Sequence, residues 1–188
     1  MTQPSPPPMY VVRHGTADLT TGLDYQRPPG PGLCEQGRQE AGVAGEYFRQ
    51  RFDGEPVIVI HSPMARAVQT AGVIAQHVSS PESITEPRLV EIQPRETADD
   101  LANRMRAFYD DVTRDHVQPV IAVSHRAPIE ALLCRLLGLA MSDPSGALSP
   151  DGRFFMCPAT VFAIHRDGDT LDVDLVCGQL DHHDERAT

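Results

Sequence analysis

The chain contains no lysine: all 16 of its Lys and Arg residues are arginines. That absence excludes several mechanisms. A P-loop needs its lysine on the β- and γ-phosphates of a nucleotide. Schiff-base and Ser-Lys catalysis need the same amine. Long apolar runs are also missing, and nothing approaches the about 18 consecutive residues a membrane span requires. Residues 1–8 are polar and proline-rich, without the apolar stretch of a signal peptide. The four cysteines, Cys34, Cys134, Cys157 and Cys177, include no C-x-x-C pair and no disulfide-like spacing, so a reduced, cytoplasmic protein is expected. No basic run is present, and 26 acidic residues against 16 basic ones give a net charge of -10. This argues against nucleic-acid polymers and anionic membranes as partners.

The 188 residues are one domain's worth. Residues 1–8 are expected to form a disordered arm, 9–180 a single domain and 181–188 a flexible tail. Short apolar runs at Met9–Val12, Val57–Ile60 and Val120–Val123 read as buried strands. Helical periodicity covers Glu35–Phe52, Met64–Val78 (opened by Pro63), Ala98–His116 (capped by Thr97) and Pro128–Leu139. Gly15–Leu33 reads as a long loop, Ile84–Ile92 as a strand or extended segment, and 140–158 as a connection rich in Pro, Ser and Gly. Val161–His165 and Leu171–Cys177 read as a hairpin turning at Asp167-Gly168. Strands alternating with helices predict an α/β domain: a three-layer α/β/α sandwich with a mostly parallel central sheet.

Open α/β sheets bind ligands beyond the carboxyl ends of their strands. Arg13-His14-Gly15 follows the first strand, His61-Ser62-Pro63 and then Arg66 the second, Glu91 the third segment, and Ser124-His125-Arg126 the fourth. These blocks resemble the histidine phosphatase superfamily, the phosphoglycerate-mutase-like enzymes. Arg13-His14-Gly15 is similar to the family's signature. Leu33-Cys-Glu-Gln-Gly37-Arg-Gln39-Glu-Ala41 loosely resembles "L-T-x-x-G-x-x-Q-A", and Ser62-Pro-Met-Ala-Arg66-Ala-Val-Gln-Thr70-Ala71 closely matches "S-P-x-x-R-A-x-x-T-A". Leu89-Val-Glu91-Ile92 resembles the segment carrying the acid, Glu96 to Arg104 the "E-S-x-x-D-x-x-x-R" helix start, and Val123-Ser124-His125 the second histidine block.

The resemblance implies that His14 is a nucleophile passing through phosphohistidine. His125 is then a further donor when protonated, and Glu91 the general acid, with Glu86 and Glu96 as neighbouring candidates. Arg13 and Arg66 offer planar donor forks for phosphoryl oxygens. Ser62 reads as a helix cap, and His61 as either structural or part of the site. Two departures stand out. Where the family carries Thr two places after the glycine and Asn a few residues on, this chain has Ala17 and the Leu19–Leu23 stretch. The missing phosphate donor is expected from Thr16 or a backbone amide, which makes Gly15 and Thr16 candidate substrate contacts. The family's glycine after the second histidine is Arg126 here. It either pairs with Glu130 or faces solvent, or it reads a second anionic group on the substrate.

Other phosphatase chemistries fail by motif. Six residues after the four cysteines stand Glu40, Ala140, Ala163 and His183, so no C-x-x-x-x-x-R loop exists. Asp172-Val-Asp174 lacks the large domain an aspartyl phosphatase needs after it, and Asp181-His182-His183-Asp184 makes a poor metal cage. The expected function is hydrolysis of a small phosphomonoester without metal or cofactor. A protein phosphohistidine phosphatase, a mutase-type phosphotransferase and a non-catalytic phosphate binder remain open, as does oligomeric state, with a homodimer one candidate.

Overall fold

The computed structural model describes residues 8–80, 83–139, 156–167 and 170–177. The expected arm, tail, most of the 140–158 connection, the turn at Gly168 and the Asp181–Asp184 cluster lie outside these residues. In chain order the elements are β1 (Met9–Arg13), α1 (Glu35–Phe52), β2 (Ile58–His61), α2 (Ala65–Ala75), β3 (Ser83–Thr85), α3 (Ala98–Asp115), β4 (Val120–Ser124), α4 (Arg126–Leu137), β5 (Val161–Asp167) and β6 (Thr170–Cys177). One six-stranded sheet has the order β3-β2-β4-β1-β5-β6. The first four of these strands run parallel, and β5 and β6 are antiparallel at one edge.

Side chains alternate across the sheet, so each buried strand feeds two cores. Tyr10, Val12, Ile121 and Val123 meet Ala44, Phe48 and Phe52 of α1 and Ala67, Ala71 and Ile74 of α2. Met9, Val11, Val120 and Ala122 meet Leu101, Met105 and Phe108 of α3 and Ile129, Leu132 and Leu133 of α4. Tyr10 sets its ring edge-on to Phe48 and Phe52, at centroid distances of 5.3 and 5.6 Å. The three-layer α/β/α sandwich is therefore present.

Three boundaries differ from the sequence expectation. Helix α2 starts at Ala65 with Met64 as its cap, because the Ala65 N–H is held by the Pro29 carbonyl at 2.7 Å from the long loop. Pro63 therefore precedes the cap instead of opening the helix. Helix α4 starts at Arg126, with Pro128 inside its first turn, where the missing N–H is no loss. Between Ser83 and Ile92 only three residues pair as a strand, and Pro87–Leu89 is a 3-10 turn. Thr97 caps α3 as expected, in a reciprocal capping box with Asp100. No helix among the described residues is long and apolar enough to cross a membrane.

Candidate active site

Register brings the two key histidines together. Arg13 pairs with Ser124 across the parallel β1–β4 ladder, so the next residue on each strand, His14 and His125, emerges at the same edge. Their ring centroids are 5.1 Å apart. Strand β2 ends level with them, since His61 pairs with Val123, and the following turn leads into Arg66 on α2. Arg66 Nε donates to His14 Nε2 at 3.1 Å.

His14 is held in one tautomer. Its Nδ1 lies 2.7 Å from the Gly15 carbonyl, so Nδ1 carries the proton and Nε2 keeps its lone pair. Burial, with Arg66 and Arg13 nearby, pushes its pKa down to about 3. Burial holds His125 far below the usual imidazole range, with His14 and Arg66 adding to the effect. Burial thus disfavours the imidazolium form in both rings, including the form in which His125 is expected to donate. His125 Nε2 is 2.8 Å from Ser62 Oγ, and Ser62 Oγ also accepts the Met64 N–H at 3.3 Å. This bond ties the His125 ring to the turn after β2. Ser62 is not the cap of α2, which is Met64; its hydroxyl instead links the Met64 N–H to the His125 ring.

Three buried side-chain nitrogens have no hydrogen-bond partner among the described residues: Arg13 Nε, Arg66 Nη2 and His125 Nδ1. Buried polar groups are normally paired, and all three belong to this cluster. Arg13 Nη1 is anchored on the Met156 carbonyl at 2.5 Å, and Arg66 Nη1 on the Tyr25 carbonyl at 3.0 Å.

Among the carboxylates, burial raises the Glu91 pKa above the ordinary carboxylate range, against the opposing pull of an Ile92 N–H bond and of Arg66, Arg13 and Arg126. The alternatives are committed elsewhere. Glu86 caps the 3-10 turn and pairs with Arg88 at 2.8 Å. Burial raises the Glu96 pKa, but bidentate bonds from Arg104 at 2.7 and 2.8 Å hold it below its usual value. Arg104 Nη1 also reaches the Arg88 and Val90 carbonyls, and Ser124 Oγ donates to the Leu89 carbonyl at 2.8 Å. These bonds fix the segment that carries Glu91.

Gly15 and Thr16 do a different job from the one expected. The Gly15 N–H donates to Thr70 Oγ1 at 3.1 Å. The Thr16 N–H and hydroxyl both go to the buried Glu40 carboxylate, at 2.7 and 2.9 Å. Their donors are thus taken by Thr70 and Glu40, which hold the loop in place. Arg126 opens α4, half-buried, and its charge is felt by both Arg13 and Glu91. His61 bonds the Ser62 carbonyl through Nδ1 at 2.9 Å, a structural role.

Tyr25 was not singled out from the sequence, where it is one aromatic residue in a Gly/Pro-rich loop. Its hydroxyl lies 3.2 Å from His14 Nε2, and the Arg66 guanidinium stacks over its ring at 3.8 Å.

The arrangement is an unprotonated imidazole nitrogen contacted by Arg66 and Tyr25, beside buried guanidinium and imidazole nitrogens without partners among the described residues and a carboxyl whose pKa is raised by burial. Such a group can accept a phosphoryl unit and stabilise its oxygens. The comparisons agree. The model of the histidine phosphatase superfamily (branch 1) matches residues 9–94 and 92–148. The chain belongs to that superfamily.

Among curated proteins, the chain is 27% identical over 168 residues to phosphoserine phosphatase 1 of Hydrogenobacter thermophilus, covering 71% of this chain and 78% of that one. It is 30% identical over a 205-residue alignment to an uncharacterized protein of Mycobacterium tuberculosis, covering 91% and 95%. Among solved structures, a mycobacterial glucosyl-3-phosphoglycerate phosphatase superposes with a TM-score of 0.66 at 20% identity, covering 90% of this chain and 97% of that one. A mutant phosphoserine phosphatase of Entamoeba histolytica in complex with phosphoserine superposes at 0.67 with 15% identity, covering 88% and 94%. These two structures share the fold.

Proposed function

We propose that the chain is a histidine-dependent phosphatase that hydrolyses small phosphomonoesters through a phosphohistidine on His14. The observation that supports this reading is the set of three buried nitrogens, Arg13 Nε, Arg66 Nη2 and His125 Nδ1, that have no hydrogen-bond partner among the described residues and flank a histidine whose Nε2 carries no proton.

In the first step His14 Nε2 attacks phosphorus, the P–O bond to the leaving group breaks, and the departing oxygen takes its proton from Glu91. In the second step the Glu91 carboxylate removes a proton from water, the water oxygen attacks phosphorus, and the P–N bond breaks with its electron pair returning to Nε2. The guanidinium groups carry the charge on the equatorial oxygens throughout, which is why the reading needs no metal or cofactor. Phosphoserine and glucosyl-3-phosphoglycerate, named for the similar proteins, combine a phosphate with a carboxylate. Arg126, whose charge acts on both Arg13 and Glu91, would be the residue to meet a second anion of that kind. A reducing, cytoplasmic setting belongs to the same reading.

The test is a phosphate-release screen over singly and doubly anionic metabolite esters and a phosphohistidine protein, with His14→Ala as control. Release by wild type alone, together with an acid-labile phosphoenzyme, is expected. Equal, slow release by both proteins from every substrate would overturn the reading.

A further inference from the structure

The loop after β1 lacks the small polar donors expected there. Ala17 has none, and both donors of Thr16 are consumed by Glu40. The same loop instead delivers Tyr25 to the nucleophile. We propose that Tyr25 is a substrate-contacting residue: its hydroxyl rests on His14 Nε2 in the substrate-free protein and moves to a phosphoryl oxygen when substrate binds. This inference rests on the phosphatase reading for its chemistry, but its contact with phosphate can be measured separately.

The geometry favours the transfer. Nε2 has a single in-plane lone pair, and it is the acceptor because Nδ1 is bonded to the Gly15 carbonyl. Two donors address that lone pair, Arg66 Nε at 3.1 Å and the Tyr25 hydroxyl at 3.2 Å. A near-attack arrangement places the reacting atoms about 3–3.5 Å apart. The hydroxyl therefore stands at the distance where phosphorus must arrive, and the two cannot occupy it together. Once Nε2 is committed to phosphorus, the nearest acceptors for the displaced O–H are the phosphoryl oxygens.

The surroundings keep Tyr25 close after it is displaced. Arg66 stacks on its ring at 3.8 Å and holds its backbone carbonyl through Nη1 at 3.0 Å. Gly30, at φ +63, lets the loop backbone close over the same guanidinium: a Cβ there would lie 3.3 Å from Arg66 Nη1. The Pro29 carbonyl is tied to the first turn of α2 at 2.7 Å. Tyr25 and Arg66 thus form one unit, in which the ring screens the guanidinium from water and the hydroxyl adds a donor beside Nη2.

Tyr25→Phe separates the hydroxyl from the ring, since the stack on Arg66 survives. Steady-state and single-turnover kinetics on a good substrate from the screen, and orthophosphate binding followed by calorimetry, are compared between wild type and Tyr25→Phe in the full chain. The expected result is a fall in kcat of about tenfold to a hundredfold, the range for one donor to a charged oxygen, with weaker orthophosphate binding. Tyr25→Ala, which also loses the stack, is expected to fall further. Wild-type or improved kcat and orthophosphate affinity in Tyr25→Phe would overturn the proposal, because a hydroxyl that only plugs the site hinders phosphate. If wild type turns over no ester yet Tyr25→Phe loosens orthophosphate, the contact stands and the phosphatase reading falls.

Discussion

His14 and Glu91 are pushed in opposite protonation senses by the same burial. Desolvation disfavours the imidazolium and the carboxylate alike, so His14 sits at about 3 as a free base and Glu91 is raised toward the acid form. A deprotonated nucleophile and an acid that keeps its proton are what the first step of the proposed mechanism needs. The pH dependence follows. His14 adds no acidic limb until the pH approaches its lowered pKa, whereas activity falls as the pH climbs through the raised pKa of Glu91. Glu91→Gln is expected to remove that alkaline limb. It is also expected to slow alkyl phosphates by about a hundredfold or more, the range for one general acid. In the single-turnover rate of phosphoenzyme formation, which excludes the water step that Glu91 also serves, a p-nitrophenyl ester, whose leaving group needs no proton, should suffer far less. Equal losses on both leaving groups in that rate would remove Glu91 from the acid role.

At the scale of elements, the site depends on a close approach between helix α1 and the loop after β1. A Cβ on Gly37 would come 2.0 Å from the Thr16 carbonyl, and one on Gly15 would come 2.3 Å from that of Gly37. Both neighbours are backbone and cannot swing aside. Gly37→Ala is therefore expected to push the Thr16 segment off Glu40 and misplace His14, lowering kcat by about a hundredfold or more although Gly37 touches no substrate. Circular dichroism should still show a folded sandwich, and crystallography of the variant would show the displaced loop. Wild-type kcat would contradict this packing argument. The fold was largely legible at this scale because strands and helices carry their own periodicity, and α1 runs over Glu35–Phe52 as expected. The boundaries of α2 and α4 were not, since the Pro29 carbonyl that terminates the first turn of α2 comes from a distant loop.

For the whole molecule, burying neutral histidines links the site to acid stability. The unfolded chain protonates His14 near 6.5, while the folded chain resists until about 3. Across that window the unfolded state binds more protons, so stability falls as the pH falls. At about pH 5 the cost from His14 alone is about 2 kcal/mol, or about 4–8 °C in Tm for a domain of this size. His125 acts in the same direction. Glu91 acts in the opposite one, holding a proton in the folded state above its ordinary range and lowering stability as the pH rises. His14→Asn is expected to flatten the decline in Tm between pH 7 and 5, and an unchanged slope in calorimetry would reject the linkage. The net charge of -10 is compatible with an anionic substrate, because the arginines act over a few ångströms and the surface acids are screened.

The amino-acid sequence by itself determined which chemistry was possible. Without lysine the cations had to be guanidinium groups, and the ordered blocks around His14, Arg66, Glu91 and His125 marked the strand ends from which they project. Those signals are local in the chain, carried by residue type and short spacing. Only the tertiary structure decided how each donor is used. It tied Thr16 to Glu40, turned Ser62 onto His125, committed Glu96 to Arg104 and laid Tyr25 between His14 and Arg66. The partners in the first three pairs lie 24, 63 and 8 residues apart. Hydrogen-bond pairing between such positions is set by how sheet register and loop closure arrange them in space, which no spacing rule along the chain encodes.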